Sequence, residues 1–330
     1  MSKEIILIKN ENDNELMTSA VSNPYLHAAT SDNTRRAYQA DIRHYEKWGG
    51  ILPATTESIL AYLQTYAPIL KPQTLARRMT ALMNWHVYQQ FPDPTRHPLV
   101  SKTLSGIMRL HGSPKKQALP LLPEQLMKMV QMLQSKSDAK DYRDNALLQI
   151  GFLGAFRRSE LVNICYEHIT WQEQGIDILV PHSKTDQYHE GLYCALPYGN
   201  QYLCAVTALR RWLDYSGIKK GPIFTRCHQN GQIHPDQPPL SPLSVNLIIK
   251  QRAEEAGIEN ASKFSSHSLR RGLATSASRD GASLPAIMRQ GRWRNVNTVM
   301  EYIEAAQRFE ENAAGLILKT QVKKSDQNQQ

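Results

Sequence analysis

No apolar stretch in this 330-residue chain approaches the ~18 residues that a membrane-spanning helix requires, so no span is expected. The apolar run within Met1–Lys9 is too short for a signal peptide, and no small-residue cleavage site accompanies it. Cysteine is scarce: Cys165, Cys194, Cys204 and Cys227 form no CxxC pair and no ligand-like spacing. Such usage fits thiols in a reducing compartment, either core or incidental. There is no internal repeat. Clustered carboxylates of the metal-nuclease kind are missing as well, so neither metal nor cofactor is expected. The expectation is a soluble cytoplasmic protein.

What is present is basic charge on a globular composition. Apolar residues make up 41% of the chain, and 39 Lys and Arg face 30 Asp and Glu, a formal charge of +9. A surplus of that size points to a polyanionic partner, most often nucleic acid. It concentrates between Asp32 and Lys116, where twelve Lys and Arg face five Asp and Glu.

Residues 1–25 are polar and read as a flexible arm. From Thr34 the apolar spacing turns helical: Tyr38, Ile42, Tyr45 and Trp48 share a face, and Gly49-Gly50 ends the run. Further helices are predicted over Thr56–Tyr66, from Pro72, and around Leu104–Met108, giving an all-α unit over residues 26–111. Arg77 and Arg78 lie off the apolar stripe of their helix, while Arg35 and Arg36 fall in the first turn of theirs. Cations there oppose the helix dipole unless an anion is near. With Lys115 and Lys116 of the 112–118 linker, these are candidate phosphate contacts, the plainer reading being a solvated face.

The second domain, residues 119–319, opens with a helix near Pro123 and another from about Asp144. Between Glu167 and Pro197 the period changes to two, in Ile169/Trp171, Ile176/Ile178/Val180 and Leu192/Cys194/Leu196. A small antiparallel sheet is predicted there. Helices follow over Val206–Tyr215, Ser244–Ala256, His267–Asp280, Leu284–Gln290, Asn297–Ile303 and Ala306–Leu318, before a polar tail at 320–330 expected to be disordered. The fold class is mostly α with a small antiparallel β-sheet.

Four separated segments carry polar residues suited to a phosphate. In Arg157-Arg158-Ser159-Glu160 a carboxylate three residues on can hold the guanidinium, which taken singly describes a surface ion pair. His182-Ser183-Lys184-Thr185-Asp186 puts an ammonium on a turn between strands. In Ser266-His267-Ser268-Leu269-Arg270, His267 and Arg270 share a face at a helix start, with Ser265 or Ser266 as N-cap. Gly291-Arg292-Trp293 is followed nine residues on by Tyr302.

In that order these segments resemble the tyrosine recombinase (phage integrase) family. The stretch Trp293-Arg-Asn-Val-Asn-Thr-Val-Met-Glu-Tyr302 is similar to the Cre branch, which has Trp where most members carry a second His. The resemblance implies a helical core-binding domain followed by a mixed α/β catalytic domain. Gly154-Ala155-Phe156 departs from the more usual Thr-Gly-Leu before the first arginine. It also implies roles: Arg157 and Arg270 on the non-bridging oxygens of the scissile phosphate, and Lys184 as general acid. His267 would be proton acceptor or relay, Trp293 an indole donor or packing element, and Tyr302 the nucleophile, with Glu160 supporting Arg157. Strands would be cut and rejoined through a 3′-phosphotyrosyl link without metal or ATP. The implied partners are double-stranded DNA sites and a homo-tetramer, with the apolar stripe Phe309, Ala313, Leu316 and Ile317 of helix 306–318 docking on a neighbouring protomer. A catalytically silent DNA-binding protein of the same fold and a type IB topoisomerase-like enzyme are the alternatives.

Overall fold

The computed structural model describes residues 29–114, 117–181, 191–227, 233, 237–307 and 314. The chain divides into two compact units, Met1–Lys115 and Lys116–Gln330.

The first unit has four α-helices among its described residues: α1 (Asp32–Trp48), α2 (Thr56–Tyr66), α3 (Pro72–Tyr88) and α4 (Pro98–His111). Their ends follow local chemistry. Ser31 and Thr55 accept from backbone N–H groups three residues on, Pro72 and Pro98 open their helices, and Gly49 stops α1 in the left-handed region at φ 104°. Tyr45, Ile59, Tyr62, Leu63, Leu75 and Leu82 form the core.

One surface expectation is corrected here. Arg77 stays at the surface and pairs with Asp41, with Nε and Nη2 each 2.8 Å from a carboxylate oxygen, so the correction concerns Arg78. Arg78 turns inward and is only 8% exposed. It donates to the Tyr62 hydroxyl at 2.8 Å and lies 3.5 Å from Asp41. The buried Asp41 carboxylate and the Tyr62 phenol create an internal site for a cation, which apolar spacing cannot reveal.

In the second unit, α5 (Pro123–Gln134) and α6 (Ala139–Leu153) lead to the short α7 (Arg158–Val162). An antiparallel sheet follows in the order β1 (Ile169–Gln172), β2 (Gly175–Val180), β3 (Leu192–Pro197), with Ile169 opposite Ile178 and Ile178 opposite Cys194. Ile176, Ile178, Val180, Cys194 and Leu196 point into the core, as the period of two requires. Helices α8 (Ala205–Ser216), α9 (Pro242–Glu255), α10 (Ser266–Arg279), α11 (Leu284–Gly291) and α12 (Val296–Gln307) complete it.

Helix α6 begins at Ala139 rather than near Asp144. Its first turns carry Asp141, Arg143 and Asp144, all of them buried. Arg252 from α9 reaches Asp144 at 2.8 Å and Asp141 at 3.0 Å, so the charges are paired inside the unit. Helix α12 runs unbroken through Ile303 to Gln307, whereas the sequence suggests a break before Ala306. The rest of the 306–318 segment, Ala314 excepted, lies outside the described residues, as do the arm and the tail.

Candidate active site

The site begins where α6 ends. Ala155 takes a positive φ of 43° and Phe156 is buried beneath the turn, so the chain reverses and presents Arg157 at the mouth of α7. Arg157 is the N-cap, with extended backbone (φ −69°, ψ 150°), so it meets Glu160 through a capping arrangement rather than across one helix face. Glu160 Oε2 accepts the Arg157 backbone N–H at 3.0 Å, and Oε1 accepts from Nη1 at 2.6 Å. Burial by itself would raise the Glu160 carboxyl. The Arg292 guanidinium and the Arg157 contacts outweigh it and hold the group below the usual range.

Helix α10 supplies the second guanidinium. Ser265 is its N-cap, and the Ser265 N–H donates to Ser268 Oγ at 3.0 Å. Arg270 is buried, with Nη1 donating to the Ala155 carbonyl and Nη2 to the Gly291 carbonyl at 2.8 Å. One side chain thus joins the turn before Arg157 to the end of α11. Burial first, then the neighbouring Arg157 and Arg292 cations, push the Arg270 guanidinium down to about 9, against the pull of Glu160 and Tyr302. A cation this poorly neutralised suits an anionic ligand. His267, one turn earlier on α10, is exposed.

The third contribution is the turn after α11. A Cβ on Gly291 would lie 1.7 Å from the Trp293 ring, so only glycine lets the indole pack there. Trp293 lies beneath Arg270, whose guanidinium sits 4.5 Å from the ring centroid. Its ring meets that of half-buried Tyr302 edge-on, with centroids 6.2 Å apart. Arg271 covers the Tyr302 ring at 5.4 Å and donates to the Ala118 carbonyl at 2.9 Å.

Three stretches distant in sequence therefore bring Arg157, Glu160, Arg270, Trp293 and Tyr302 into one neighbourhood, with His267 on the open start of α10. Lys184, Lys115 and Lys116 lie outside the described residues. Of the other expected phosphate contacts, Arg36 and Arg77 are exposed, and Arg35 is partly so and pairs with Asp32. Sequence reasoning passed over Arg292, which stood merely as the middle of Gly-x-Trp. Its left-handed backbone and its reach to Glu160 leave no periodic signal. Among the described residues no helix is long and apolar enough to cross a membrane.

The chain is similar to known proteins both in sequence and in fold. The phage integrase family matches residues 120–308. The integrase/recombinase xerD homolog of Selenomonas ruminantium is 38% identical over 320 residues, covering 93% of this chain and 92% of that protein. The recombinase Cre of Escherichia phage P1 is 28% identical over 274 residues, covering 78% and 77%. In fold, the chain is similar to the XerH site-specific recombinase in a post-cleavage complex with palindromic difH substrate, with a TM-score of 0.61, 20% identity, and coverage of 86% of this chain and 78% of that one. The chain belongs to the phage integrase family, the tyrosine recombinases, and is a DNA strand-transfer enzyme of site-specific recombination.

Proposed function

We propose that this enzyme cuts and rejoins double-stranded DNA through a 3′-phosphotyrosyl intermediate on Tyr302, using protein cations in place of a metal and needing no ATP. The observation that carries the reading is the Arg270 fork. It ties the turn before Arg157 to the Gly291 carbonyl before Trp293, in a neighbourhood shared with Tyr302.

Phosphoryl transfer spreads negative charge over the non-bridging, entering and leaving oxygens. Arg157 and Arg270 neutralise the non-bridging pair. The two hydrogen bonds that Arg270 makes to carbonyls use two of its roughly five N–H donors, so the fork is aimed without being exhausted. The Tyr302 oxygen attacks phosphorus and its proton passes to His267. The bond to the 5′ oxygen breaks, and Lys184 gives a proton to that departing oxygen, which leaves as a hydroxyl. Religation runs the same steps backwards, with the phosphotyrosyl bond conserving the energy of the cut. Trp293 is the platform under Arg270, and Glu160 aims Arg157. Removing one such preorganised donor is worth ~3–4 kcal/mol, or roughly 10²–10³ in rate.

The basic helical unit, with Arg35, Arg36 and Arg77 and the linker lysines Lys115 and Lys116, tracks the DNA backbone. The 306–318 segment docks on a neighbouring protomer in a homo-tetramer assembled on two sites, and the enzyme works in the cytoplasm where its DNA lies. The test is Tyr302→Phe on nicked suicide DNA, which should bind normally and form no covalent adduct. Covalent trapping by that variant would refute the assignment of the nucleophile.

A further inference from the structure

Arg292 has no part in the mechanism above, yet it occupies an unfavourable position. It is a non-glycine residue in the left-handed region (φ 54°, ψ 43°), where its Cβ crowds the backbone. Its side chain is 2% exposed, and Nε has no hydrogen-bond partner, a poor setting for a cation.

What the side chain reaches accounts for its being there. Nη2 donates to the Gly154 carbonyl at 2.9 Å, in the turn leading into Arg157, and lies 3.5 Å from Glu160 Oε2. Nη1 donates to the Gln290 carbonyl at 3.0 Å, and the guanidinium lies 4.4 Å from the centre of the Phe156 ring. Glu160 is held from two sides. Its Oε1 faces the Arg157 side chain, while Oε2 faces the Arg157 backbone N–H and Arg292. One buried side chain thereby locks the end of α11, which leads to Trp293 and Tyr302, onto the turn that presents Arg157.

We propose that Arg292 is a positioning residue for strand cleavage: by pinning Glu160 and the Gly154 carbonyl, it fixes the orientation in which Arg157 meets the phosphate. The inference rests on the role given to Arg157 above. It also carries a pH signature. Among the described residues, the charged and titratable groups around Glu160 include Arg292 and Arg157, with Arg270 and the Cys194 thiol in electrostatic reach. Arg292 is the foremost of the charges that oppose the burial of Glu160, so without it the carboxyl titrates higher. Protonation then releases Arg157, and activity is lost as the pH falls through the raised value.

The test is a double-mutant cycle on covalent adduct formation with nicked double-stranded DNA. It uses wild type, Arg292→Gly (glycine accepts the left-handed backbone), Glu160→Gln and the double variant, with DNA binding measured separately. R292G should form adduct roughly tenfold more slowly, the scale of a lost charge-assisted hydrogen bond, with its acid limb moved to higher pH. DNA affinity should stay within about twofold, since the loss falls on the chemical step. The double variant should be no slower than the slower single one, because Arg292 acts through Glu160. Arg292→Gln, neutral and of similar reach, runs the same cycle if R292G does not fold. Wild-type rate and pH profile in the Arg292 variant, or losses that multiply in the double variant, would overturn the inference. Absence of adduct with wild type would instead overturn the broader reading.

Discussion

Removing the indole of Trp293 should damage stability and cleavage together, and the two losses can be separated. The ring is 8% exposed and packs with Ala155, Ala274, Ile287, Val299 and Ile303. Truncation to alanine deletes a buried aromatic, worth ~3–5 kcal/mol including the cavity left behind. Within that range, ~1–2 kcal/mol belongs to the stack with Arg270. At ~2–4 °C per kcal/mol for a unit of this size, Tm should fall by about 6–20 °C. Trp293→Phe keeps an aromatic face beneath the guanidinium and should lose only ~1–2 kcal/mol. Cleavage follows from a different contact. The indole packs so closely on Gly291 that a Cβ there would lie 1.7 Å from the ring, and the Gly291 carbonyl holds Arg270 Nη2. Without the ring that carbonyl is unsupported, and a displacement of ~1 Å at a phosphate clamp costs on the order of 10² in rate. Adduct formation would be followed well below each variant's Tm, with the folded fraction checked by circular dichroism. Equal cleavage rates for W293A and W293F at matched folded fraction would refute the platform role.

Three further outcomes are expected. Gly272→Ala should destabilise the second unit by ~1–3 kcal/mol in calorimetry, because a Cβ there would lie 1.9 Å from the Leu121 carbonyl, a backbone atom and not the end of a flexible side chain. Asp41→Asn should cost the first unit ~3–5 kcal/mol by leaving buried Arg78 without its carboxylate, seen as faster proteolysis within residues 29–114. Burial raises the Glu255 carboxyl, but hydrogen bonds from Arg252, Gln251 and Lys136 overcome it and pull the group down to about 2. Its stabilising contribution is therefore complete above the ordinary glutamate range and lost as the pH falls towards about 2, so acid unfolding curves of Glu255→Gln should be flatter over that interval.

Much of the architecture was legible because its signals are local. Pro72 marks a helix start, Gly49 marks a stop, and the alternation of Ile176, Ile178 and Val180 places one face of β2 in the core. The order of Arg-x-x-Glu, His-x-x-Arg and Trp-to-Tyr was readable through its resemblance to the tyrosine recombinase family, since each segment taken singly has a plainer reading. What escaped is non-local. The start of α6 at Ala139 was missed because the buried charges of its first turns are paired by Arg252 from distant α9, and Arg78 looks like surface until Asp41 and Tyr62 surround it. The Arg157–Glu160 pair was visible as a spacing, but its geometry is that of a helix cap, because the turn at Ala155 sets the backbone before α7 begins. Arg292 was hidden for a similar reason: its partners Glu160 and Gly154 lie more than a hundred residues earlier in the chain.

The central claim is that guanidiniums, an imidazole, an ammonium and a phenol act on one phosphorus, with Tyr302 taking the strand. The most direct measurement is mass spectrometry of the wild-type protein after reaction with nicked DNA and digestion of both components. A nucleotide mass joined through a 3′ phosphate to the peptide bearing Tyr302, with fragment ions locating it on that residue, is the predicted result. A nucleotide on any other side chain, or strands cut with no protein-linked nucleotide, would contradict it.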